Sequence, residues 1–155
     1  MLEEGRKAPD FKLKGIDEKL GETEFKLSDI LKQGRPVILY FYPKDNTPGC
    51  TTEACDFRDN MNRLTGKAVV LGVSPDSIES HKKFNQNHGL NFSLLSDPDH
   101  KVMEKYEAWG EKQNYGKTYM GVIRSTYIIN PDGKIQKKML NVKAKGHVEK
   151  VLGEL

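Results

Sequence analysis

The apolar positions of this chain fall into runs and stripes that predict alternating strands and helices. Val37, Ile38, Leu39, Tyr40, Phe41 and Tyr42 form an unbroken apolar run, preceded by Gly34 and Pro36 and stopped by Pro43. Its β-branched and aromatic content predicts a central strand buried on both faces. After Cys50, the residues Phe57, Met61 and Leu64 recur at helical spacing and Gly66 supplies a stop, which predicts a helix of about 14 residues starting at Cys50. A second apolar run, 68–73, follows it. Strand, helix and strand at this spacing make a right-handed parallel crossover. A second helix is expected from Asp76 to about His88, capped by Ser74 or Asp76 and ended by Gly89. A short strand over 92–95 and a short helix over 101–109 come next.

The flanks are less regular. Residues 11–25 hold two extended patches around Gly15 and Gly21, taken as turn residues of a small hairpin. Residues 110–121 show no period and read as an exposed loop. The patches 125–129 and 135–140 flank Asn130-Pro131-Asp132-Gly133, in which proline pre-sets one φ and glycine accepts a positive one, so they predict an antiparallel hairpin. Val148, Val151, Leu152 and Leu155 form the apolar stripe of a closing helix. The order predicts an α/β protein with a mixed central sheet, helices on both faces and an N-terminal β-hairpin extension, an arrangement that resembles the thioredoxin-like fold. No repeat or linker divides it, so one domain is expected over 1–155.

Composition narrows the function classes. A chain of 155 residues can bury roughly 68–70 % of its unfolded surface, so a mean hydropathy of −0.67 and 30 % charged residues still leave room for a core. The longest apolar run is far short of the roughly 20 residues of a membrane helix, and the acids among the first residues from Met1 to Lys7 do not suit a secretory signal. A soluble, cytoplasmic protein without membrane contact is expected. The 25 basic and 22 acidic side chains leave +3 spread along the chain, which argues against nucleic acid as a partner. Two cysteines cannot staple a fold of this length, and chemistry is the better place to look for their use.

In an open α/β sheet the reactive crevice lies beyond the C-terminal ends of the parallel strands, here Pro43 to Cys50. Cys50 falls in the first turn of its predicted helix, where free N–H groups and the helix dipole favour an anion, while Cys55 lies beyond that effect. Each residue has a plainer reading. Two helical cysteines are by default small buried hydrophobes. Thr47, Pro48 and Gly49 are ordinary turn and cap residues, Glu53 an ordinary first-turn acid, and Arg124 an ordinary surface charge. His81, His88, His100 and His147 lie on separate elements without ligand spacing and read as surface histidines rather than a zinc site. Tyr40, Phe41, Tyr42 and Trp109 read as core or pocket lining, and the lysines at 137–138 and 143–145 as a solvated face.

Taken together and in order, the motifs carry more. Pro43-x-x-x-Thr47-x-x-Cys50, with Glu53 three residues on and Arg124-Ser125-Thr126 far down the chain, resembles the peroxiredoxins; Cys55 at plus five resembles their Q-type or bacterioferritin-comigratory subgroup. The likeness extends from Gly5-x-x-Ala8-Pro9-Asp10-Phe11 to the final helix. It implies a thiol peroxidase that reduces hydrogen peroxide and organic hydroperoxides without metal, haem, flavin or other cofactor. Cys50 would be the peroxidatic thiol and Cys55 the resolving one, forming an intramolecular disulfide that a thioredoxin-type or other thiol reductant reopens. Thr47 would bond the thiolate and the peroxide, Pro43 would shield the site from water, and Arg124, oriented by Glu53, would place a permanent charge beside sulfur and peroxide. A monomer or weak dimer is expected.

Topology supports the distant arginine without the resemblance, since a strand over 125–129 antiparallel to the central strand would begin beside the latter's end. A thioredoxin-like disulfide reductant is the rival within redox chemistry, but such proteins resemble a C-x-x-C site, and here four residues separate the cysteines. A binding or chaperone module with idle cysteines is the rival outside it.

Overall fold

A computed structural model describes residues 2–155. A seven-stranded mixed sheet runs in the order β2-β1-β5-β4-β3-β8-β9. Its centre is β3 (Val37–Phe41), every residue of which is buried. β3 pairs in parallel with β4 (Val69–Ser74) and antiparallel with β8 (Ser125–Ile129). The side-chain period of two splits β3 between two cores. Val37, Leu39 and Phe41 face a core with α1 (Leu27–Leu31) and α5 (Lys101–Lys105). Ile38 and Tyr40 face the other, with α2 (Pro48–Asp59), α4 (Ile78–His88) and α6 (His147–Gly153). Helices therefore cover both faces, as the sequence pattern requires.

The expected crossover is present with shifted ends. α2 begins at Pro48, two residues before Cys50, because proline suits the first helical position; the chain then breaks at Asn60 and resumes as α3 (Met61–Leu64). α4 is capped by Ser77, whose hydroxyl accepts from Ser80 N, rather than by Ser74 or Asp76. Those two side chains bond each other, and Asp76 also bonds the loop before α2. Gly89 closes α4 in the left-handed conformation. β5 (Ser93–Ser96) then pairs in parallel with β4.

At the N-terminus β1 (Lys12–Ile16) and β2 (Glu22–Lys26) form the expected hairpin, which β1 joins to the sheet edge by antiparallel pairing with β5. Gly15 is not a turn residue. It lies inside β1, where a Cβ would stand 2.4 Å from the Leu94 carbonyl oxygen, so the close approach of two backbones demands glycine. α1 carries no sequence signal long enough to announce it.

Two further expectations fail. The helix over 101–109 ends at Lys105, since Glu107 turns left-handed (φ 59°) and Trp109 opens a strand. The segment 110–121 is not a loop but a separate antiparallel hairpin, β6 (Trp109–Asn114) with β7 (Lys117–Val122). Its two-residue turn is Tyr115-Gly116, with φ of 52° and 77°, the pairing that matches strand twist. Both faces of its outer half are exposed, so no alternation of apolar and polar residues marked it. The second hairpin, β8 with β9 (Ile135–Met139), turns at Asn130-Pro131-Asp132-Gly133 as expected, with Gly133 N donating to Asn130 O at 2.8 Å. Lys138 departs from the solvated face, its ammonium half-buried 2.8 Å from Glu107. Among the described residues no helix is long and apolar enough to cross a membrane.

Candidate active site

The chain leaves β3 at Tyr42, turns through Pro43 to Thr47 and enters α2. Thr47 is the N-cap residue, with extended backbone (φ −94°, ψ 156°), and Thr51 N donating to Thr47 O is the first helical hydrogen bond. The N–H groups of Gly49 and Cys50 precede it and are free of that ladder, as the first turn of a helix dictates. Cys50 is 1 % exposed and Cys55 partly exposed, both as free thiols.

Arg124 arrives from the opposite direction. β3 and β8 pair with Phe41 opposite Ser125, so the residue before β8 lies beside the start of α2. Its Nη2 lies 3.3 Å from Cys50 Sγ and its Nη1 2.6 Å from Glu53 Oε1. One guanidinium thus bridges the thiol and a carboxylate one helical turn along. Gly49 makes room for it, because a Cβ there would stand 3.2 Å from Nη2.

Burial disfavours the guanidinium's charge, but the neighbouring Glu53 and Cys50 outweigh that and hold its pKa above the ordinary arginine value. Glu53 shows the opposite balance. It is fully buried, and desolvation pushes its carboxyl up to about 7 against the pull of Arg124. Its Oε2 has no hydrogen-bond partner among the described residues, nor has the buried Tyr40 hydroxyl.

The structure brings Cys50, Glu53 and Arg124 into direct contact. Pro43 is half-buried at the start of the turn. The Thr47 hydroxyl donates to the Lys44 carbonyl at 2.7 Å and makes no hydrogen bond to Cys50, leaving its lone pairs as the groups open to another donor. Cys55 lies on the same continuous helix as Cys50, which by helix geometry holds their Cα atoms roughly 8–9 Å apart.

Two histidines depart from the surface reading. His81 is fully buried, with Nδ1 2.7 Å from Asp45 Oδ2, and His147 is 2 % exposed, with Nε2 2.7 Å from Thr126 Oγ1. Burial, with Lys150 and Arg124 nearby, pushes the His147 imidazole down to about 4. His81 shares a helical stripe with the buried Phe84 three residues later, which was the signal available for its burial. Asp45 has no such signal: a carboxylate in a turn sequence reads as a turn former.

Comparison with known proteins places the chain in a family context. Residues 5–138 match the model of the AhpC/TSA family. The chain is 51 % identical over 155 residues to the peroxiredoxin Bcp of Bacillus subtilis (strain 168), covering 99 % of this chain and 95 % of that one. Among solved structures it is similar to a cysteine-to-serine mutant of Xylella fastidiosa PrxQ, with 34 % identity, a TM-score of 0.88, and 99 % and 95 % of the two chains covered. It is also similar to the bacterioferritin comigratory protein of Xanthomonas campestris, studied for alkyl peroxide reduction, with 36 % identity, a TM-score of 0.81, and 91 % and 88 % covered.

Proposed function

The chain belongs to the AhpC/TSA family, and from that premise we propose that Cys50 is its peroxidatic thiol, with Arg124 and Glu53 as its electrostatic partners. The fold is thioredoxin-like and the activity is that of a thiol-dependent peroxidase, an oxidoreductase acting on peroxides with a thiol reductant. The observation that carries the assignment to Cys50 is the Arg124 bridge, 3.3 Å to Sγ and 2.6 Å to Glu53.

The Cys50 thiolate attacks one peroxide oxygen; the S–O bond forms as the O–O bond breaks. Sulfur is oxidised to sulfenic acid, and the leaving oxygen takes a proton and departs as water or an alcohol. Arg124 and the free N–H groups of Gly49 and Cys50 stabilise charge on the oxygens as that bond breaks. Thr47, its own proton spent on Lys44 O, accepts the hydroxyl proton of the peroxide and so orients it. Pro43, without an N–H, keeps water from the sulfur.

Cys55 then attacks Cys50 Sγ, forming the disulfide and releasing the sulfenic oxygen as water, and a thioredoxin-type dithiol returns two electrons and two protons. The alkyl peroxide reduction named for the Xanthomonas campestris relative supports including organic hydroperoxides. A monomer or weak dimer in the cytoplasm is the setting we assign it.

Peroxide consumption measured with and without a dithiol donor tests the reading. Turnover that needs the donor and disappears in Cys50→Ser is expected. Donor-independent turnover, or turnover that survives the substitution, overturns it.

A further inference from the structure

The loop between β3 and α2 is held from the α4 side by a buried polar network that the chemistry above does not use. Asp45, 5 % exposed, sits at its middle. Its Oδ1 accepts from the Tyr42 hydroxyl at 2.6 Å, its Oδ2 accepts from the Ser80 hydroxyl at 2.8 Å, and His81 Nδ1 lies 2.7 Å from the same Oδ2. The other imidazole nitrogen, Nε2, lies 2.9 Å from the Leu95 carbonyl oxygen. A carbonyl oxygen only accepts, so Nε2 is the donor of that bond. The backbone is tied as well. Asp45 N donates to Asp76 Oδ2 at 2.7 Å, and that oxygen also accepts from the Ser74 hydroxyl at 2.7 Å.

Burying a carboxylate and an imidazole together costs desolvation, and a well-packed apolar cluster often stabilises a fold as much or more. What such a network supplies is position. Asn46, next in the chain, is left-handed (φ 60°), a turn conformation that asparagine accepts readily, and Asn87 of α4 donates to its Oδ1 at 3.1 Å, tying the turn to that helix. Thr47 follows, and its carbonyl receives the first hydrogen bond of α2. Any shift at Asp45 is therefore delivered two residues later to the Thr47 hydroxyl and to the turn that carries Cys50.

We propose that Asp45, locked by Tyr42, Ser80 and His81, is a positioning residue for peroxide reduction: it fixes the stub from which Thr47 and the first turn of α2 meet the peroxide. The proposal rests on the peroxidase reading of Cys50. It also gives the first turn a fixed point to return to after each cycle of oxidation and reduction.

The test is the second-order rate of Cys50 oxidation by hydrogen peroxide, in single turnover and well below every variant's melting temperature. Asp45→Asn keeps the volume but turns donors toward His81 and Ser80, and is expected to slow oxidation by about tenfold or more, since small misplacements at a reacting centre carry penalties of that order. Asn85→Ala is the structural control: it removes a buried α4 bond, 3.0 Å to Leu90 O, that touches nothing in the loop. It should lower the melting temperature and leave the rate within about twofold of wild type. Adding His81→Gln to Asp45→Asn should slow the reaction no further, because the two act as one unit. Ser80→Ala, a milder change, should slow it several-fold and keeps the question answerable if Asp45→Asn fails to fold. Wild-type rates in Asp45→Asn or Ser80→Ala, or a slowing matched by Asn85→Ala at equal loss of melting temperature, overturn the proposal. A wild-type protein that consumes no peroxide, or one whose turnover survives Cys50→Ser, instead overturns the reading beneath it.

Discussion

Arg124 and Cys50 are 74 residues apart in sequence and meet with Nη2 3.3 Å from Sγ. A free cysteine with a pKa near 8.5 is about 3 % thiolate at pH 7, so full ionisation raises the reactive population at most roughly 30-fold, about 2 kcal/mol. Intrinsic nucleophilicity falls as the thiol becomes more acidic. A large rate enhancement must therefore come from donors aimed at the breaking O–O bond, the role proposed for the Arg124 fork, which Glu53 holds at 2.6 Å.

Arg124→Lys keeps a charge and loses the planar fork. The second-order rate with peroxide should fall by about tenfold or more. Stopped-flow rates beside a thiolate absorbance titration check this, and a loss accounted for wholly by fewer thiolates would refute it.

The two cysteines should not be interchangeable, because one is buried against the guanidinium and the other is partly exposed farther along α2. Cys50→Ser should abolish peroxide turnover. Cys55→Ser should consume about one equivalent and stop as a sulfenic acid that a dimedone-type probe traps. Equal residual turnover in both would sink the assignment.

Gly15 tests the attachment of the N-terminal hairpin. Gly15→Ala drives a methyl to 2.4 Å from a backbone oxygen of β5, and neither backbone can yield without unpairing. Chemical denaturation should show a loss of about 2–3 kcal/mol. Unchanged stability would mean that β1 and β5 sit farther apart in solution.

The parts of the fold that were legible in the sequence are those where burial leaves a one-dimensional trace. The run from Val37 to Tyr42 is apolar throughout because both faces of β3 are covered, and the Asn130-Pro131-Asp132-Gly133 turn announces its hairpin through backbone chemistry. The β6–β7 hairpin left no trace because its outer half has no buried face, and its only local sign was the short Tyr115-Gly116 pair. Cys50, Glu53 and Arg124 were legible through a motif, helped by an antiparallel pairing that topology could anticipate. Asp45 and His81 were not, because their meaning lies in partners 35 and 36 residues away, brought together beyond the ends of the neighbouring strands β3 and β4, and a lone turn carboxylate or helical histidine carries no sign of that. The bond from Thr47 to Lys44 O is likewise a matter of rotamer, which spacing does not encode.

Glu53 and His147 should imprint opposite slopes on stability against pH. Burial raises Glu53 from 4.5 to about 7, so between those values the folded chain binds the extra proton and stability falls as pH rises. Burial lowers His147 from 6.5 to about 4, so between those values the unfolded chain binds the extra proton and stability rises with pH. Each one-proton slope is about 1.4 kcal/mol per pH unit, and where the windows overlap they cancel. Relative to wild type, His147→Gln should lose stability as pH rises from 4.5 to 6.5, and Glu53→Gln should gain it over the same range. Denaturant midpoints for both variants that run parallel to the wild type across this window would contradict the assignment.

The disulfide implied for Cys50 and Cys55 demands motion. On a continuous α2 their Cα atoms are roughly 8–9 Å apart and face different sides, whereas a disulfide tolerates at most about 7 Å. The bond therefore cannot form on the intact first turns, and the helix must unwind locally from Thr47 once Cys50 is a sulfenic acid. At that end the bond from Thr51 N to Thr47 O is the first of the ladder, so few backbone bonds are lost, and the contact of Arg124 with Cys50 Sγ is given up as the sulfur leaves its pocket. The other end is pinned. Phe57 is fully buried and stacked on Tyr40 at 4.8 Å, Arg58 Nη1 donates to His88 O at 2.6 Å, and Asn91 Nδ2 donates to Arg58 O at 3.2 Å. Unwinding should fade out by Phe57 and Arg58, so hydrogen exchange in the disulfide form should quicken across 48–56 and stay unchanged in β3 and β4. Arg58→Ala should carry the faster exchange further toward the end of α2. A protein with a mapped Cys50–Cys55 bond and amides over 48–56 as protected as in the reduced form would show that the helix yields in some other way, or that Cys50 takes its partner elsewhere.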